Sequence, residues 1–190
     1  MKKPNINLLA VIVAVPVIGM TIIAPALTII KNDLNISFEN TQLILTLYFT
    51  FLAFGQILSG PFSDKYGRKP ILLLGASIYS ISAFFASLSS NIEILLILRC
   101  FQGFGAAACL SVGRTILSDC YEIKEAAKEM SKMTAIMAVI PISCFIFGGF
   151  LAEFLGWRTN LIALGLISLI LIIAMSFSLN ETLIKKAKSI

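Results

Sequence analysis

Long apolar runs alternate with short polar links along this chain. Six runs stand out, over residues 8–30, 41–60, 70–89, 93–117, 133–152 and 160–179. Each is close to the ~20 residues a helix needs to cross ~30 Å of hydrocarbon. None is broken at the period of 3.6 or 2 that marks a half-buried element of a soluble domain. The pattern predicts an all-α membrane protein of six transmembrane helices. The bundle occupies residues 1–184 and a short basic tail follows over 185–190.

The links decide orientation. With the N-terminus inside, the inner side holds Lys2, Lys3, Lys65, Arg68, Lys69, Arg114, Lys124, Lys128, Lys132, Lys185, Lys186 and Lys188. The outer side holds Lys31 and Arg158, and Arg99 lies within a run. That asymmetry predicts cytoplasmic N- and C-termini. The first run, with Lys2-Lys3 before it and Ala24-Pro25-Ala26 near its end, imitates a secretion signal. It is too long for one and is expected to remain as the first helix.

Two links carry related residues. Gly60, Asp64, Gly67 and Arg68 follow the second run, and Gly149, Glu153, Gly156 and Arg158 follow the fifth. Three spans separate them, so they face opposite sides of the membrane. This predicts an inverted 3+3 repeat, a transporter architecture. In the first link, Gly60 is expected to end the helix and allow close approach of a neighbour. Pro61 is expected to stop the helix, and Pro70 to open the next. Asp64 and Arg68 sit at i,i+4 if the link is helical. The segment from Asp119 to Lys132 alternates Glu122, Glu125 and Glu129 with Lys124, Lys128 and Lys132 and reads as an exposed interfacial helix.

Composition agrees with this pattern and removes several functions. Of 190 residues, 58% are hydrophobic and 13% charged, against about 25% charged in a soluble domain. The net charge of +5 sits in the links and at the termini, so it writes topology and does not point to nucleic acid. There is no histidine, which removes Ser-His and Cys-His catalysis and most metal sites. The four cysteines, Cys100, Cys109, Cys120 and Cys144, follow no paired spacing. No phosphate loop or pair of catalytic carboxylates is present, so no enzyme, cofactor or metal centre is expected.

Gly60-Pro61-Phe62-Ser63-Asp64-Lys65-Tyr66-Gly67-Arg68-Lys69-Pro70, preceded by Gly55-Gln56, resembles the cytoplasmic signature between helices 2 and 3 of the major facilitator superfamily. Its details resemble the bicyclomycin-resistance (Bcr/CflA) branch of drug:proton antiporters. Leu98 to Ala107, Gly148-Gly149 with Gly156-Trp157-Arg158, and Asn180 to Leu183 resemble further signatures of that family. The resemblance covers the whole chain. It implies one N-terminal six-helix half of a major facilitator fold, with the substrate at the midplane between two halves.

Candidate functional residues follow. Gly60, Asp64, Gly67, Arg68 and Lys69 form the implied conformational-switch motif. Arg99 lies about two turns inside the fourth run, where a charge is expensive and functional by default. Gln102, Gly103 and Ala106 share its face at i+3, i+4 and i+7. The resemblance links the matching arginine to proton coupling. Thr21 and Tyr48 join Gln102 as candidates to line a cavity. The family's first helix has Asp four residues before its proline, and counting back from Pro25 gives Thr21. No Asp or Glu lies deep in any run, and Arg is always protonated. Phe145 stands where the family has Pro, although Pro141 remains.

The sequence therefore reads as a multi-pass protein of a bacterial inner membrane, effluxing drugs or other small molecules by alternating access. Proton antiport is implied by the resemblance alone. The chain stops at the central loop, so a second half or a second copy is expected as partner beside the lipid bilayer. A non-transporting remnant of a split gene and a regulatory membrane subunit are the alternative expectations.

Overall fold

The computed structural model describes residues 4–183. All its regular structure in that range is helical: α1 (Ile6–Thr21), a single 3-10 turn (Ala24–Ala26), α2 (Leu27–Asp33), α3 (Phe38–Tyr66), α4 (Arg68–Ser87), α5 (Ile92–Cys120), α6 (Ile123–Leu155) and α7 (Arg158–Ser178). Six stretches are long and apolar enough to cross a membrane, with α1, the 3-10 turn and α2 counting as one. The chain is a multi-pass membrane protein, built as an inverted repeat of three spans followed by three. The tail over 185–190 lies outside the described residues.

Local chemistry sets the helix boundaries. Asn5 caps α1 by accepting from the backbone N–H groups of Asn7 and Leu8. Ser37 does the same for α3 at Asn40, and Asn91 for α5 at Ile94. The first span is broken where a single helix over 8–30 was expected. Pro25 has no N–H to donate, and the chain tightens into the 3-10 turn before α2 resumes.

The second span differs more. Pro61 does not stop α3, which runs on to Tyr66. Proline removes one N–H, but it is on the exposed face here, and the Ser63 hydroxyl donates to the Gly60 carbonyl at 2.8 Å. Gly60 has no neighbour where a side chain would project, so it ends no helix and admits no close partner. The break falls at Gly67, whose φ of 107° suits glycine. Arg68 then opens α4, and Pro70 is its third residue, still in the turn whose N–H groups have no intrahelical partner. The interfacial segment is not a separate helix either. No glycine or proline lies between Glu122 and Met133, and α6 begins at Ile123 and continues to Leu155 through Pro141. Glu129, expected in water, is buried.

Small residues bring the backbones together. A Cβ on Gly103 would collide with the Tyr48 carbonyl of α3, and one on Gly105 with the Gly75 carbonyl of α4. Gly55 abuts Ala107, and Gly75 abuts Ala108. Along α5 these contacts make a stripe that draws α3 and α4 in, as small residues do between membrane helices. Hydroxyls add cross-links. Ser80 donates to the Gly165 carbonyl at 2.9 Å and Ser168 to the Ala76 carbonyl at 2.9 Å, joining α4 to α7. All four cysteines are free thiols.

Candidate functional site

Arg99 is completely buried at the meeting of α1, α3 and α5. Its Nη1 donates to Gln102 Oε1 at 2.6 Å, its Nη2 to the Gly19 carbonyl at 3.2 Å, and its Nε points to the Ile44 carbonyl at 3.4 Å. The guanidinium carbon lies 4.3 Å from the centre of the Tyr48 ring, a cation–π contact. Tyr48 in turn donates to the Pro16 carbonyl at 3.0 Å. A Cβ at Gly19 would run into the hydroxyls of both Tyr48 and Tyr79, so a side chain there would have to displace them. Among the described residues no carboxylate pairs with Arg99. Its charge is held by carbonyl and amide dipoles and one aromatic face.

The structure thus joins three of the four candidates, Arg99, Gln102 and Tyr48. Thr21 lies two residues beyond Gly19, but its hydroxyl bonds the Val17 carbonyl of its own helix at 2.8 Å. All four are buried among helices of the bundle. Gly103 and Ala106, on the face read as cavity-side, are helix contacts. Tyr79 completes the cluster and was not singled out from the sequence, where it is one tyrosine in an apolar run. Its hydroxyl and Gln102 Nε2 are buried without a hydrogen-bond partner.

A second cluster surrounds Arg68. Its Nη1 meets Asp64 at 2.5 Å and Ser63 Oγ at 2.6 Å, and its Nε meets Asp119 at the end of α5 at 3.0 Å. Lys69 Nζ donates to the Ser176 carbonyl of α7 at 2.9 Å. The Glu181 carboxylate, beyond α7, accepts from the backbone N–H groups of Arg68 and Lys69 at 2.9 and 3.2 Å. This caps α4 with a charge of the right sign for a helix N-terminus. Burial pushes the Glu181 carboxyl up, but backbone N–H groups of Leu183, Arg68, Lys69 and Thr182 together outweigh that and hold it below the usual range. Of the switch-motif residues, Gly67, Arg68 and Lys69 enter this clasp directly. Asp64 joins from its exposed rim, and Gly60 stands apart.

The related link at the other end forms a matching clasp. Arg158 Nη1 and Trp157 Nε1 both donate to Asp33 Oδ2, at 2.8 and 2.9 Å. Arg158 Nη2 reaches the Ser89 carbonyl at 3.2 Å, and its guanidinium stacks 4.3 Å from the Trp157 ring. Gly156 has φ 86°, as Gly67 has φ 107°. In both clasps a positive-φ glycine precedes the arginine that begins the third span of one repeat. That arginine binds the aspartate that ends the first span of the other. Asp119 and Asp33 were not singled out from the sequence, and Glu181 entered only within the Asn180–Leu183 signature. The repeat could have found the two aspartates, since each closes the first span of its repeat.

The sequence matches the Major Facilitator Superfamily over residues 9–189. The chain belongs to that superfamily. A bicyclomycin resistance protein homolog of Haemophilus influenzae is 30% identical over 174 residues, which is 92% of this chain and 44% of the relative. Multidrug resistance protein D of Escherichia coli is 29% identical over 160 residues, 83% of this chain and 41% of that protein. These relatives bear out the resemblance to the bicyclomycin-resistance branch. The fold matches a bacterial homolog of the human lysosomal transporter Spinster in an inward-facing, occupied conformation, with a TM-score of 0.82 at 22% identity. That match covers 93% of this chain and 44% of the solved one. The chain spans less than half the length of each of these three proteins. The family is one of transporters and not of enzymes.

Proposed function

We propose that this chain is one half of an efflux transporter for drugs or similar small molecules in a bacterial inner membrane. It would work by alternating access against a second six-helix half or a second copy of itself. The observation that carries this reading is the apolar surface left open on α3 and α6, the corresponding helices of the two repeats. Ile57 is 71% exposed and Phe49 43% on α3, and Ile142 is 65% and Phe145 53% on α6. α6 is the least buried of the six spans and α3 the next. The relatives carry more than this length again, enough to cover both faces.

On this reading Arg99, with Gln102, Tyr48 and Tyr79, is the fixed polar group at mid-depth, and the Arg68 clasp is the switch element. Orientation from the lysines places that clasp in the cytoplasm. Proton antiport then needs its titratable carboxylate from the covering half, because among the described residues no Asp or Glu joins the Arg99 cluster.

The test is dye efflux and drug susceptibility in an exporter-deficient bacterial host, with membrane insertion verified. The intact chain, expressed with a partner half, should restore efflux, and Arg99→Ala should abolish it. Inserted protein that moves no dye with any partner would instead identify a non-transporting remnant or a regulatory subunit. Efflux that ignores an imposed pH gradient would overturn proton coupling.

A further inference from the structure

Helix α6 carries a second pattern that the transport reading leaves unused. Lys124, Lys128 and Lys132 follow one another at i,i+4 spacing, and Ala135, Val139 and Ser143 continue the same face after one i+3 step. All six are exposed. Ala135, Val139 and Ser143 border a cleft of about 710 Å³, completed by Val11 and Ile18 of α1 and Ile167 of α7. Its lining is apolar apart from the Ser143 hydroxyl and the Cys144 thiol.

Two features of the cleft agree. Its lining on α6 runs from Ala135 to Cys144, which at about 1.5 Å per residue is roughly 14 Å of helix. That is the depth of one leaflet in a hydrocarbon core of ~30 Å. It begins one turn beyond Lys132, where the lysine face meets the apolar one. One acidic residue of the segment reaches this ladder, at Lys132, where a lipid phosphate would share the ammonium with Glu129. Glu129 is buried and binds Lys132 Nζ at 2.7 Å, Glu125 is half-buried and already engaged, and Glu122 precedes the helix. The cleft among α3, α4 and α5, the helices that correspond to α6, α7 and α1, is only about 190 Å³. The contacts of Gly55 with Ala107 and Gly75 with Ala108 narrow it.

We propose that the cleft among α1, α6 and α7 binds one anionic phospholipid. An acyl chain lies between α6 and α7, and the headgroup phosphate meets Lys128 and Lys132. An apolar slot of leaflet depth under a row of ammonium groups has the two-part chemistry of such a lipid. Recognition is electrostatic at the head and non-directional along the tail.

Native mass spectrometry of the intact chain in mild detergent tests this, with phosphatidylglycerol and phosphatidylcholine of identical acyl chains as probes. Phosphatidylglycerol adducts should exceed phosphatidylcholine adducts by about thirtyfold, the ratio that two lysines near an anionic group give at about 1 kcal/mol each. Lys128→Gln with Lys132→Gln should bring the two lipids to parity. Val139→Trp, which fills the slot, should remove the preferential adduct. Position 139 is exposed, and circular dichroism reports whether the variant folds. If it does not, Ser143→Phe reads the same cleft. Equal retention of both lipids by the intact chain overturns the proposal, as does a preference that survives either set of substitutions. A cleft closed by a second copy, seen as a lipid-free dimer that Val139→Trp dissociates, overturns it as well.

Discussion

Helix α5 and the α1–α2 span open the two repeats and should be equivalent, yet they are held differently. α5 is clamped by glycine and alanine, with Gly103 against the Tyr48 carbonyl of α3 and Gly105 against the Gly75 carbonyl of α4. α1 has few such contacts along its length. Its span meets α6 closely near Gly148, where a Cβ would collide with the Ile22 carbonyl. Away from that point the helices separate and leave the cleft beside Val139. The sector of α3, α4 and α5 is closed by backbone approach, and the sector of α1, α6 and α7 is closed at one end only. The same inverted architecture can therefore hold a rigid sector and a looser one, set by where small residues fall.

The glycines separate the two sectors most sharply. Gly103→Ala should cost about 1–3 kcal/mol, because its Cβ has backbone in front of it and one helix must move. Gly149→Ala, where the nearest atom is the Pro25 Cβ at 3.7 Å, should be neutral or stabilising by up to about 1 kcal/mol through helix propensity. Thermal unfolding of both variants in one detergent checks this. Equal destabilisation would remove the distinction between the sectors.

The two clasps should also differ. Arg68 is buried and satisfies Asp64, Asp119 and Ser63. Arg68→Ala should cost about 2–3 kcal/mol, approaching the loss for a buried pair stripped of one partner. Arg158 is 42% exposed at its side chain, and Arg158→Ala should cost about 1 kcal/mol or less. The same unfolding assay ranks them, and the reverse order would contradict the description of the clasps.

A smaller effect concerns acid. Glu181 is held below its usual range by backbone N–H groups at the start of α4. A carboxyl depressed on folding contributes stability that is present above its unfolded value of 4.5. That stability is lost as pH falls through the lower folded value. Melting temperature should therefore fall less between pH 6 and pH 3, conditions chosen around that value, in Glu181→Gln than in the intact chain.

Much of this was legible in the sequence because a membrane leaves few options. Apolar run length marked six helices, and the paired Gly67-Arg68 and Gly156-Trp157-Arg158 links marked the inverted repeat. Helix ends were less legible. Pro61 reads as a stop, but a solvent- or lipid-facing proline costs one N–H and leaves the rest of the helix intact. The fate of α3 was decided instead by a positive φ at Gly67. Arg99 was found because a deep charge is rare. Its surroundings were not, since Tyr79 and Gly19 become partners only when α1, α4 and α5 meet. Asp119, and the clasp role of Glu181 within the Asn180–Leu183 signature, were missed for the same reason: each is a boundary acid until the bundle brings it to Arg68.

On the proposed function the open faces of α3 and α6 are covered by another six-helix body in the membrane. Site-specific photo-crosslinking in native membranes tests it. Benzophenone side chains would replace Phe49 and Ile57 on α3, Ile142 and Phe145 on α6, and, as references, Phe85 on α4 and Ile170 on α7. Protein adducts at the α3 and α6 positions, with none at Phe85 or Ile170, are the expected result. Protein adducts absent from α3 and α6, or equally abundant at all six positions, would contradict the account.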